Sequence, residues 1–95
     1  MPYLGLDHLV LLVSDFESAR ATWEEQLGLT LHHHVHLEEH GIHQAFFPLP
    51  DQTFIELIAP SSDDSPIKRL IEENGEGLHV LAMRVKDQPS AIATL

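Results

Sequence analysis

Two ionisable residues stand inside apolar, strand-forming segments: His8 within residues 6–13 and Glu56 within residues 54–58. An ionised carboxylate in such a segment is costly to bury unless it meets a charge, a donor or a metal. Alternation along a strand sets Glu56 beside Phe54 and Ile58, and His8 beside Val10 and Leu12, so each interrupts an apolar face. A neutral imidazole and a carboxylate together suit a borderline divalent metal. The competing readings are a histidine satisfied by a backbone carbonyl and a glutamate facing solvent from an edge strand. Of the eight histidines, six lie between positions 32 and 43. His32, His34 and His36 alternate along one strand face, where imidazoles could capture a transition metal, but the row reads first as a solvated face.

These residues need elements to hold them. Residues 6–13 read as a strand, and Asp15 is suited to cap the helix that follows. Phe16, Ala19, Trp23 and Leu27 recur at helical spacing as a buried stripe, which Gly28 closes. Trp23 on that stripe is a core residue. Residues 29–37 predict a second strand, with Leu31, His33, Val35 and Leu37 on the face away from His32, His34 and His36. A turn at 38–41 leads to a strand at 42–49, and a turn at 50–52 leads to another at 53–58, all antiparallel. Residues 59–66 connect to a short helix capped by Ser65, with Pro66 at its first position and Ile67, Leu70 and Ile71 inward. Asn74-Gly75 ends that helix, residues 78–85 form a last strand, and a further helix is expected near Pro89.

Shifting the chain by 72 residues lays 6–19 over 78–91, with Leu6/Leu78, Leu9/Leu81, Val13/Val85, Asp15/Asp87, Ser18/Ser90 and Ala19/Ala91 identical. The domain expectation follows: a first βαβββ module at 1–58, a connector with a short helix at 59–77, and the start of a second, incomplete module at 78–95.

Composition removes whole classes of function. Five Lys+Arg against fifteen Asp+Glu give a net charge of −10, and the basic residues form no stripe, so nucleic acid is not an expected partner. No apolar run reaches the ~20 residues of a membrane span, so no membrane partner is expected. The absence of cysteine excludes disulfides and thiolate chemistry, and with no visible secretory signal the expected location is cytoplasmic.

The order of several short motifs resembles the vicinal oxygen chelate superfamily, which includes glyoxalase I and methylmalonyl-CoA epimerase. The motifs are Leu6-Asp7-His8-Leu9-Val10, Leu27-Gly28-Leu29, Phe54-Ile55-Glu56-Leu57-Ile58-Ala59-Pro60, Asp64-Ser65-Pro66-Ile67 and Gly75-Glu76-Gly77-Leu78-His79. The last two look most like the epimerase branch. The resemblance implies an α+β fold of βαβββ modules in a mostly antiparallel curved sheet, a divalent metal cofactor, and His8 and Glu56 as metal ligands. It implies a lyase or isomerase acting on a small molecule, a thioester or a glutathione adduct; a homodimer is expected separately, from symmetry and the missing half of the site. Two departures stand out. Val80 occupies the position where such epimerases carry a second ligand histidine, and Gln44 falls where some carry a catalytic glutamate, although an amide cannot serve as a base. The catalytic base is therefore unassigned. Two copies could complete the ligand set by pairing their first modules across a two-fold axis. The alternatives are a metal-free small-molecule-binding module of the same superfamily and a truncated, non-catalytic chain.

Overall fold

The computed structural model describes residues 3–86 and 91–94. Its elements are β1 (Tyr3–Leu12), α1 (Phe16–Ala21, running on into a π-helical turn at Thr22–Gln26), β2 (His33–Leu37), β3 (Ile42–Pro48), β4 (Phe54–Pro60), α2 (Pro66–Asn74), β5 (Gly77–Val85) and β6 (Ala91–Thr94). The strands form one sheet in the order β2-β3-β4-β1-β5-β6. Every pairing is antiparallel except β1 with β4. That parallel pair needs a long crossover, which α1, β2 and β3 supply. The α+β, mostly antiparallel architecture is the one expected.

Local signals act where the sequence puts them. The Asp15 carboxylate accepts a hydrogen bond from the Ser18 N–H at 3.0 Å and starts α1. Ser65 Oγ accepts from the Ile67 N–H at 3.2 Å, with Pro66 following, and starts α2. Gly41 closes the β2–β3 turn at φ 65°, a left-handed conformation that favours glycine, and a Cβ there would press on Ser62 Oγ at 2.9 Å.

Helix α1 lies on one face of the sheet. Phe16 packs there with Ala45, Phe47, Ile55, Leu57 and Ala59, flanked by Ala19 and Trp23. Phe47, Leu57, Ala45 and Ala59 have no exposed surface. Trp23 stacks on Phe47 at 6.2 Å between ring centroids, as a core residue should.

Strands β1 and β5 pair with His8 opposite Ala82, Leu9 opposite Leu81 and Val10 opposite Val80. This register places Leu9 against its own counterpart in the repeat. A local two-fold axis through Leu9 and Leu81 therefore exchanges His8 with Val80.

Four expectations are corrected. Leu27 is 57% exposed, because the π-helical turn, closed by Leu27 N–H donating to the Thr22 carbonyl at 3.0 Å, adds a residue and carries it off the stripe. Ile67, Leu70 and Ile71 are half-buried, since α2 crosses only the end of the sheet. Strand β2 begins at His33, so His32 is not in the row with His34 and His36. The helix expected near Pro89, itself outside the described residues, does not include 91–94, which add a strand to the free edge of β5 and satisfy its backbone groups.

Candidate functional site

The parallel β1–β4 pairing brings His8 and Glu56 together on the sheet face opposite α1. His8 lies across from Phe54, and Glu56 from Val10. Asp7 Oδ2 is 2.7 Å from His8 Nδ1. A carboxylate only accepts, so Nδ1 carries a proton and, in the neutral ring, Nε2 is left bare, the arrangement that suits a metal-binding histidine. The His8 ring lies flat on Phe54, with centroids 4.5 Å apart and planes 10° from parallel.

Gln44 reaches the same face from β3 and donates from Nε2 to Glu56 Oε2 at 3.0 Å. Burial pushes the Glu56 pKa up, while the Gln44 hydrogen bond and the nearby His8 draw it back. One carboxylate oxygen is thereby fixed and the other left free. Beside these groups an open depression of about 410 Å³ is lined by His32, His33, Phe46, Pro48 and Phe54. Its walls are mostly aromatic and suit an apolar or acyl group.

The two orienting partners escaped sequence reasoning. Alternation turns Asp7 away from the His8 face, but the β1–β5 register shifts between Leu6 and His8, and this bulge brings the carboxylate back to the ring. Gln44 was legible only as a position lacking a base, not as the donor to Glu56.

Glu56 is not the edge-strand glutamate of the competing reading, for β4 is an interior strand, and His8 Nδ1 pairs with the Asp7 carboxylate where that reading had a backbone carbonyl. The two donors have the right chemistry for a borderline divalent ion and make half of a tetrahedral set. Among the described residues no group of three His, Asp or Glu side chains could hold a metal. Val80 lies opposite Val10 and has no donor to add. The edge of β1 that a second copy's β1 would need is filled by β5, so a β1-to-β1 seam between copies requires β5 to leave.

The remaining histidines divide between the faces. His34 and His36 project toward the α1 side, where His34 and His43 stack on Phe16 at 4.5 and 4.9 Å and His36 stacks on His43 at 4.3 Å. His34 and His36 are exposed, but their row is attached to the rim of the core, not simply solvated. Burial lowers the His43 pKa, as do the neighbouring His36 and His34, and Glu17 on α1 partly offsets them. The unfolded chain then binds this proton more tightly than the folded one. Stability is full above the ordinary imidazole value of about 6.5 and falls as pH drops through it toward the lower folded value. Thermal melts from pH 8 to pH 5 should show that decline, and it should shrink in His43→Phe, which keeps the ring stack without the titration.

A β-α-β-β-β unit with its first and fourth strands side by side, bearing a histidine and a glutamate on the face away from its helix, has the architecture of the vicinal oxygen chelate class. The chain belongs to the Glyoxalase/Bleomycin resistance protein/Dioxygenase superfamily, whose family model matches residues 7–95. It is 38% identical over 77 residues to the uncharacterized protein YqjC of Bacillus subtilis, covering 81% of this chain and 54% of that protein. It is 34% identical over 91 residues to the mitochondrial methylmalonyl-CoA epimerase of Bos taurus, covering 95% of this chain and 51% of the enzyme. The crystal structure of methylmalonyl-CoA epimerase from Mycobacterium tuberculosis superposes with a TM-score of 0.72 at 32% identity, over 90% of this chain and 58% of that one. The chain thus spans about half the length of the curated relatives it matches. Among the described residues no helix is long and apolar enough to cross a membrane.

Proposed function

We propose that this chain carries half of an epimerase-like metal site that takes a small acyl thioester. The observation that supports this is the paired orientation of the two donors, with Asp7 holding His8 Nδ1 and Gln44 holding Glu56 Oε2. Side chains fixed in this way each keep an uncommitted donor atom, His8 Nε2 and Glu56 Oε1, on one face of the sheet. A divalent ion bound there would act as a Lewis acid on the thioester carbonyl and make the adjacent C–H more acidic. The chain's own part is to bind and orient. His8 and Glu56 would hold the ion, and Phe46, Phe54 and Pro48 wall a recess for the acyl group. Gln44 orients Glu56 and takes no proton, because its amide has no basic lone pair at neutral pH.

The remaining donors and the base are assigned to a second βαβββ module or a second copy. The symmetric β1–β5 register favours reading residues 1–58 as one module, 59–77 as a connector and 78–95 as the opening of another. A second reading, a metal-free small-molecule-binding module, is favoured by Val80, which extends the apolar surface at the position symmetric to His8.

Native mass spectrometry of tag-free protein separates the two. The metal reading expects a species, as a homodimer, with one divalent ion that is lost in His8→Ala, apart from any ion held on the α1 face. A species with no His8-dependent ion after incubation with divalent ions, whatever its oligomeric state, would favour the binding module.

A further inference from the structure

We propose that His34 and His43 form a second divalent-cation site on the α1 side of the sheet, independent of His8 and Glu56 on the other face. His34 Nε2 and His43 Nδ1 are 3.3 Å apart. Two Zn–N bonds of 2.0–2.1 Å opened to the tetrahedral angle span about 3.3 Å between nitrogens. The pair is therefore already at the separation of two ligands on one ion, and each ring must turn by about 35° for its lone pair to leave the N···N line and point at the ion.

Three features keep the pair in place. The β2–β3 ladder sets His34 opposite Ala45 and His36 opposite His43, so both imidazoles stand on a rigid hairpin. Each ring is stacked on Phe16, with planes 29° and 26° from parallel, which restricts the rotamers a free surface histidine would sample. Less rotamer entropy is then lost on binding. The chain's net charge of −10 draws cations to its surface.

The present contact is a hydrogen bond in which one of the facing nitrogens carries the proton. Binding requires a tautomer exchange in that ring, so that both facing nitrogens are bare and the protons sit on His34 Nδ1 and His43 Nε2. No net proton is released. Among the described residues no third ligating side chain completes the set, so water fills the remaining positions. Imidazole donors and an incomplete shell suit zinc, nickel or copper and not magnesium or calcium.

The test is calorimetric titration of Zn2+ into the His8→Ala protein, which removes the other face's histidine donor. One equivalent of zinc should bind. His34→Phe and His43→Phe, which keep a ring against Phe16, should each weaken it at least tenfold, while His40→Ala should change it less than twofold. Imidazole 15N shifts should move at His34 Nε2 and His43 Nδ1. Absence of saturable binding, or an equal loss in His40→Ala, overturns the proposal and leaves the contact a hydrogen bond only. Because the background already lacks His8, failure here is distinguishable from failure of the site on the opposite face.

Discussion

Phe47→Ala should destabilise the chain by about 3–5 kcal/mol, the usual cost of truncating a fully buried phenylalanine. Phe47 has no exposed surface, and it lies at the centre of the cluster that joins α1 to β3 and β4. A chain of this size has only about 5–14 kcal/mol in total. The melting temperature should therefore fall by well over 10 °C, at roughly 4–8 °C per kcal/mol. Trp23 stacks on Phe47, so its fluorescence in a urea titration reports the loss directly. The neighbouring Phe46→Ala is the control, since Phe46 is half-buried on the opposite face and should cost less than half as much. A larger cost for Phe46 would place the principal core on the wrong side of the sheet.

Glu56→Gln should move stability and metal affinity in opposite directions. Burial raises the Glu56 pKa, so the folded state holds this proton more tightly than the unfolded chain. The folded state is favoured at low pH, and that advantage disappears as pH rises from the ordinary carboxylate value through the raised one. At pH 7 the wild type therefore carries a half-buried charge that glutamine lacks. Solvent screening at this partly exposed position limits the gain from removing it to about 0.5–1 kcal/mol. The amide can still accept from Gln44, so the hydrogen bond survives. Affinity for the divalent ion on the His8 face should fall at least tenfold, because an amide oxygen replaces a charged ligand. A destabilised variant with unchanged metal binding would show that Glu56 is a structural residue. The opposite pairing marks a residue kept for function at a cost in stability.

Much of this was legible because it depended on local chemistry. Asp15, Ser65-Pro66 and Asn74-Gly75 mark helix ends through hydrogen bonds or fixed φ angles within a few residues. Period-2 alternation was enough to put His8 and Glu56 on apolar faces, and the β1–β4 register makes those faces one. What escaped depended on irregularity or on distant partners. A single π-helical turn displaced Leu27, and a bulge returned Asp7 to the His8 face. The stacking of His34 and His43 on Phe16 depends on where α1 crosses the sheet, which spacing within β2 does not encode. The side of β5 left open by β1 likewise decided the fate of residues 91–94, where the local sequence pattern suggested a helix.

The central placement of β1 has a consequence for how the chain is made. Tyr3–Leu12 leaves the ribosome before its two ladder partners, which begin at Phe54 and Gly77. An apolar segment with both edges unsatisfied must wait through the synthesis of most of the chain. Pairing at such sequence separation is slow, and a waiting strand of this kind is prone to associate with others. Nascent chains stopped before Phe54 should therefore be protease-sensitive throughout β1, and protection there should appear only after β4 has cleared the exit tunnel.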